Sequence, residues 1–456
     1  MPGIKPAGAE ISPPRAAYID SVFMRRKVNL PLIFSSGLSS IAPGTGAQAG
    51  APPLGSIPAR AVVGAMLLIV CAAWAAAQQP MPLADAELRG STLFRQSGAT
   101  GMVLVVVRNH EVLIRGYGET SPRSGIRPNA NALVRLCSIS KVFTAEMLMQ
   151  MANEGRLRLS DPLQRFAPPG TIVPRGPSGT PITLLNLATH TSGLRREVSS
   201  YPSNTPHFTF PDQAFRWKWL PRQRLISTPG TAALYSNVGF DLLGDALATA
   251  ANRPYAELLN ERIVRPLGLG DTTLSPSNDQ CARLLVGARD QGPCTDTQPS
   301  GPSGGVYSTG ADMARTLEYL LHIPAPGAPM GPAMRVYLNP AQLKSAQGLN
   351  HAGEATGIGL AWIQIGDPNS LSALMEKTGG GAGFSTYIAL SPKTRTGIFL
   401  ALTDGQRRSE VDFYHEANNL LAAVASVPPL PPPAHVETAA RKRRPRPHHP
   451  PAPAAQ

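Results

Sequence analysis

Residues 101–107, GMVLVVV, form an unbroken apolar run of strand length. Arg108-Asn109-His110 supplies turn chemistry and Glu111 to Gly116 leads back, so the pattern predicts a β-hairpin. Leu133 to Leu136 reads as a short extended stretch. From Lys141 to about Gly155, the apolar residues Val142, Phe143, Ala145, Met147, Leu148 and Met151 recur at helical spacing. The long middle mixes helical segments, Phe240 to Ala250 and Tyr255 to Val264, with Pro/Gly-rich loops. Towards the far end, Phe384 to Leu390 and Gly397 to Thr403 pattern as a second hairpin around Ser391-Pro392-Lys393. A last amphipathic helix spans about Glu410 to Ala425, with Phe413, Ala417, Leu420, Leu421 and Val424 on one face.

Strands at both ends of this region with helices between them predict an α+β fold. Both ends join one antiparallel sheet flanked by helices, and residues of about 142–350 form a helical insertion. No internal repeat is evident. Outside 78–427 the pattern changes. Ala61 to Ala77, AVVGAMLLIVCAAWAAA, follows Arg60 and ends in Ala75-Ala76-Ala77 before Gln78. A basic flank, an apolar centre and a small-residue end read as a secretory signal within a leader, 1–77. The run is shorter than the roughly 20 residues of a membrane span, which makes an uncleaved anchor the weaker reading. Met24 and Met66 are alternative starts, and Val70 spoils the site around Cys71 for lipidation. Residues 428–456, rich in Pro and basic residues, read as a disordered tail.

The 456 residues, 42% of them apolar and 16% charged, can bury a sizeable core. Of the formal charge of +13, the leader holds six Lys/Arg against two Asp/Glu and the tail five against one. Each end therefore carries +4, and the remaining +5 is spread over the core. No basic stripe with interleaved aromatics runs along the core, which argues against a nucleic-acid partner. Export implies an oxidising compartment. There Cys281 and Cys294, flanking a 12-residue stretch rich in small and polar residues, are expected to close a surface loop as a disulfide. Cys137 is expected to be a small buried apolar residue.

Lysine is scarce, with eight residues against 34 arginines. Lys, unlike Arg, loses its proton when buried, so each retained Lys is worth inspecting as a base. One of the eight follows a serine by three residues, in Ser138-Ile139-Ser140-Lys141 at the start of a predicted helix. Three residues make nearly one turn, so the two side chains share a face. The helix N-terminus adds positive potential beside the hydroxyl. A capping Ser followed by a solvated Lys is the bland alternative. Lys377-Thr378-Gly379 precedes Gly380-Gly381 and a strand, where Lys and Thr can hold a carboxylate and Gly permits close approach. Tyr235-Ser236-Asn237 offers a phenol and an amide, whereas the similar Tyr337-Leu338-Asn339 runs straight into Pro340. Gly301-Pro302-Ser303-Gly304-Gly305 matches the α/β-hydrolase elbow string, but in a Pro/Gly loop. His190 is expected to brace a loop, and Trp217 and Trp219 to pack in the core. No HExxH or Cys/His cluster suggests a metal, and no cofactor is expected.

The order Ser-x-x-Lys, Tyr-x-Asn, Lys-Thr-Gly in one exported chain resembles the class C β-lactamase and penicillin-binding-protein family. The resemblance spans about Ser97 to Ala425, with LLNLATHTSGL, RPLGLGDTT and GGVYSTGADMAR as further pieces. SGATGMVLVVV, FAPPG, DQC…PC and KTGGGAGFSTYIAL look like its D-alanyl-D-alanine carboxypeptidase/endopeptidase branch. The resemblance implies a β-lactamase/transpeptidase-like fold and Ser138 as an acylated nucleophile. Lys141 and Tyr235 would share general-base work, and Asn237 would bind the substrate amide. Lys377 and Thr378, with Gly379, would meet a terminal carboxylate. The backbone N–H groups of Ser138 and Gly380 would form the oxyanion hole. The implied partners are peptidoglycan stem peptides, with β-lactams as acylating ligands, in the periplasm. Peripheral association with the inner membrane stays open, because the leader departs from the family. A β-lactamase or esterase, or a penicillin-binding sensor with little turnover, would carry the same motifs.

Overall fold

An apolar run with no polar alternation can be buried only if both of its faces are covered. In a computed structural model, which describes residues 81–199, 201–289, 291–321, 332–403 and 410–431, the Val-rich run is strand β1 (Gly101–Arg108). It pairs antiparallel with β2 (Glu111–Gly118) on one side and with β11 (Thr396–Thr403) on the other. Met102 lies opposite Leu402 and Val106 opposite Ile398, so the two ends of the region meet in mid-sheet. The full order is β2-β1-β11-β10-β9-β8-β7, with β7 (Ala355–Ile358), β8 (Ile363–Ile365), β9 (Leu374–Gly381) and β10 (Phe384–Ser391) completing seven strands.

The pleat divides β1 between two cores. Met102, Leu104 and Val106 pack with helix α1 (Leu83–Ser97) and the C-terminal helix α5 (Glu410–Ala425). Val103, Val105 and Val107 face the second core, with α2 (Ser140–Asn153), α3 (Asn237–Ala251) and α4 (Gly310–Leu320). The chain from 136 to 321 supplies these helices and several single-turn segments. Two small pairings tie it together: β3 (Leu133–Arg135) with β5 (Tyr307–Thr309), and β4 (Ala233–Leu234) with β6 (Ala346–Gln347).

The α+β expectation holds, with local differences. α1 escapes the hydrophobic pattern because its buried face is Ala86, Gly90, Leu93 and Ser97, mostly small residues. The helix predicted from Ser138 starts instead with a 3-10 turn, Cys137–Ile139, and becomes α-helical at Ser140. The segment 255–264 is α-helical only to Leu259 and continues as a π turn, Asn260–Val264. The leader with its apolar run, Cys71, Met24 and Met66, and the tail beyond residue 431, lie outside the described residues.

Candidate active site

β3 delivers the chain into the turn that carries Ser138. Cys137, just before Ser138, takes a left-handed φ of 51°, a costly conformation for a residue with a Cβ. It is buried, and its Sγ lies 3.3 Å from the carbonyl oxygen of Gly381 on β9. Ser138 follows half-buried, and Lys141, one turn later on α2, is wholly buried. The Lys141 ammonium donates to Ser138 Oγ at 3.2 Å, to Asn237 Oδ1 at 2.7 Å and to the Ser303 carbonyl oxygen at 2.5 Å. All three of its protons are thereby engaged.

Tyr235 and Asn237 arrive together at the junction of β4 and α3. Ser236 between them caps α3, its Oγ accepting from the Gly239 N–H at 2.9 Å. His190 accepts the Ser236 N–H at Nδ1, 3.1 Å away, and stacks on Tyr235 with ring centroids 4.3 Å apart. The expected bracing histidine therefore braces the tyrosine. The ammonium groups of Lys141 and Lys377 each lie 5.0 Å from the Tyr235 ring centroid.

β9 forms the opposite wall. Lys377 is buried there, and its Nζ donates to the Thr378 carbonyl at 3.1 Å. A Cβ added at Gly379 would lie 2.8 Å from the Leu136 carbonyl oxygen and 3.1 Å from the Ser138 nitrogen. Glycine is what lets β9 close on the Ser138 turn. Ser138, Tyr235, Thr378, Gly379 and Gly380 line one cleft of about 270 Å³, joined by Arg196. A larger surface groove of about 730 Å³, along Ala256, Val264, Leu269 and Gln280, holds none of them.

Burial, helped by the charge of Lys377, pulls the Lys141 ammonium below the ordinary lysine range; the neighbouring Tyr235 opposes the shift. Burial alone would raise Tyr235. The charges of Lys141 and Lys377, with hydrogen bonds from Ser138 and Lys141, outweigh it and bring the phenol down to about 8. Burial, reinforced by the Lys141 charge, holds His190 well below its usual value and so neutral. The site thus contains a lysine eased towards its amine form and a tyrosine eased towards phenolate.

Sequence reasoning missed several contributors. Ser303, discounted as an elbow, lies in a π turn, Gly301–Gly305, whose backbone carbonyl holds Lys141. Glu197 accepts a hydrogen bond from Asn237 Nδ2, and Arg196 covers the Tyr235 ring at 4.9 Å. The charged triplet Arg195-Arg196-Glu197 after the THTSGL stretch was the available signal. Asn339, of the rejected Tyr-x-Asn, caps a 3-10 turn, Pro340–Gln342. Trp217 and Trp219 are buried in the core. Cys281 and Cys294 are disulfide-bonded, and the loop they close touches the site's approach strand: Arg135 donates to the Pro293 carbonyl at 2.8 Å.

The Beta-lactamase family model matches residues 85–440. The chain is 41% identical over 340 residues to the D-alanyl-D-alanine-carboxypeptidase/endopeptidase AmpH of Escherichia coli K12, covering 74% of this chain and 88% of the relative. Among solved structures it resembles a β-lactamase/D-alanine carboxypeptidase from Yersinia pestis, with TM-score 0.69 and 39% identity over 73% of this chain and 95% of that one. The D-alanine carboxypeptidase AmpC of Burkholderia cenocepacia, 22% identical over 75% of this chain and 97% of its own, shares the fold at TM-score 0.58. With a family model over most of its length, this chain belongs to the β-lactamase family.

Proposed function

We propose that the protein is an exported serine DD-carboxypeptidase/DD-endopeptidase that cleaves D-Ala-containing stem peptides through an acyl-enzyme and is acylated by penicillins. The observation that carries this reading is the buried Lys141, 3.2 Å from Ser138 Oγ, behind a cleft lined by Tyr235, Thr378 and Gly380. Ser138 Oγ attacks the scissile carbonyl carbon, and its proton passes to Lys141. The C–N bond then breaks as a proton reaches the leaving nitrogen through Lys141 or Tyr235. Water attacks the ester, and the same pair takes its proton and restores Ser138. Lys377 and Thr378 meet the terminal carboxylate, Asn237 the substrate amide, and the Ser138 and Gly380 N–H groups the oxyanion. No step calls for a cofactor. The likeness to AmpH, a D-alanyl-D-alanine-carboxypeptidase/endopeptidase, supports this substrate class, and the apolar run after Arg60 supports export.

A β-lactamase on the same scaffold would differ in how fast water resolves the acyl-enzyme, and a sensor would scarcely resolve it. Incubation with a cross-linked muropeptide and, separately, with a chromogenic cephalosporin tests the reading. Muropeptide turnover exceeding cephalosporin turnover is expected. The reverse order points to a β-lactamase, and stoichiometric labelling without turnover to a sensor.

A further inference from the structure

We infer that Glu197 is a positioning residue: it fixes the amide of Asn237 and thereby aims the Lys141 lone pair at Ser138. The inference rests on the proposed acylation by Ser138. Glu197 sits at the rim of the site with its side chain 37% exposed. Its Oε1 accepts from Asn237 Nδ2, its Oε2 accepts from the Tyr201 hydroxyl at 3.0 Å, and Arg196 Nε lies 3.9 Å from Oε1. The carboxylate is therefore held in place from three sides.

An asparagine amide is nearly symmetric in shape, so packing alone does not decide which end points where. A carboxylate oxygen only accepts, and this settles the choice: Nδ2 must face Glu197, and Oδ1 must face Lys141. The Ser303 carbonyl, another neighbour of Lys141, also only accepts. A neutral lysine amine has two protons and one lone pair. With Asn237 Oδ1 and the Ser303 carbonyl each taking one proton, the lone pair is left for the side where the Ser138 and Tyr235 hydroxyls stand. That is the arrangement a general base requires. Without the carboxylate the amide is free to turn over. Nδ2 then donates to the Lys141 lone pair, and the serine proton loses Lys141 as its acceptor. Glu197 acts two contacts away from the reacting atoms, through Asn237 and Lys141.

A double-mutant cycle on the full-length protein tests this, read as the rate of acylation by a fluorescent penicillin. Glu197→Ala is expected to slow labelling by about tenfold or more, the scale of a misdirected base. Asn237→Ala slows it at least as much. The double variant is expected to match Asn237→Ala within about twofold, because without the amide there is nothing left to orient. A merely structural Glu197 would add its loss on top of the asparagine's. Glu197→Ala within about twofold of wild type overturns the inference, as do losses that multiply in the double variant. If Glu197→Ala lowers the melting temperature too far to assay, Glu197→Gln takes its place in the cycle. A smaller loss that vanishes in the Asn237→Ala background is then expected, and a loss that persists there overturns the inference. Wild-type protein that takes no label overturns the catalytic reading and this inference with it. Labelled wild type with an unaffected Glu197→Ala overturns the inference alone.

Discussion

Ser138 and Lys141 are separated by one turn, and the proposed mechanism passes a proton between them. Ser138→Ala is expected to abolish penicillin labelling. Lys141→Arg is expected to lower it by about 10²-fold or more, the range of a lost general base, although the charge is kept. Arg stays protonated at any workable pH and so has no lone pair to accept the serine proton. Near-normal labelling of Lys141→Arg would remove Lys141 from the mechanism. Ser303→Ala keeps the carbonyl that holds Lys141, so labelling should survive it. Tyr235, brought down to about 8, gives a pH prediction. At pH 7 about a tenth of it is phenolate, against about a thousandth at the ordinary value, and the share grows as pH rises. Acylation should therefore climb through about pH 8, and Tyr235→Phe should flatten that limb. A Phe variant with an unchanged pH profile would show that Tyr235 carries no proton.

At the scale of elements, two that carry the site also bury carboxyl groups. Glu146 on α2 and Glu376 on β9 each have one carboxyl oxygen buried with no hydrogen-bond partner. Burial raises both to about 7, opposed by a hydrogen bond from Tyr319 at Glu146 and by the charge of Lys377 at Glu376. Both values lie above the unfolded ones, so the protonated forms stabilise the fold below about pH 4.5, and that stability is lost as pH rises through about 7. Glu146→Gln and Glu376→Gln should each be more stable than wild type at pH 8, on the order of 1–3 kcal/mol, and gain nothing at pH 4. Thermal melts at the two pH values check this; equal shifts at both would refute it. The Cys281–Cys294 bridge closes a loop that Arg135 grips just before the Ser138 turn. Cys281→Ser is expected to cost about 3 kcal/mol in denaturant unfolding, and reductant should have no further effect on the variant. A wild-type midpoint insensitive to reductant would contradict that.

The described region joins β1 and β11, from opposite ends of its length, in one sheet, so the full site assembles only when segments far apart in sequence have paired. Thr378 and Gly379 line the cleft with Ser138 from β9, the third strand across from β1 by way of β11 and β10. The arrangement makes folding depend on long-range pairing, which is slow in β-rich topologies. The expectation of export belongs to the same scale. The basic flank, the apolar run and the Ala-rich end predict a mature chain starting near Gln78. N-terminal sequencing of periplasmic protein checks it, and a mature chain that keeps residues 61–77 would favour an anchor.

The amino-acid sequence by itself determined what local rules control. The all-apolar run at 101–107 requires a strand covered on both faces, the spacing in Ser-x-x-Lys requires one shared turn, and the period through Leu420 and Leu421 requires an amphipathic helix. These signals lie within a few residues of one another. α1 stayed illegible because small residues make up most of its buried face, and the 3-10 start before Ser140 because one turn of either helix leaves the same periodicity. Only the tertiary structure decided who stands around Lys141. Asn237 is 96 positions away and Ser303 is 162, and Glu197 reaches Asn237 across 40. A backbone carbonyl such as that of Ser303 carries no side-chain signature, and an Asn–Glu contact no fixed spacing. Which groups accept and which donate around a buried amine depends on chain paths closing in space, and the sequence records those paths only through the fold.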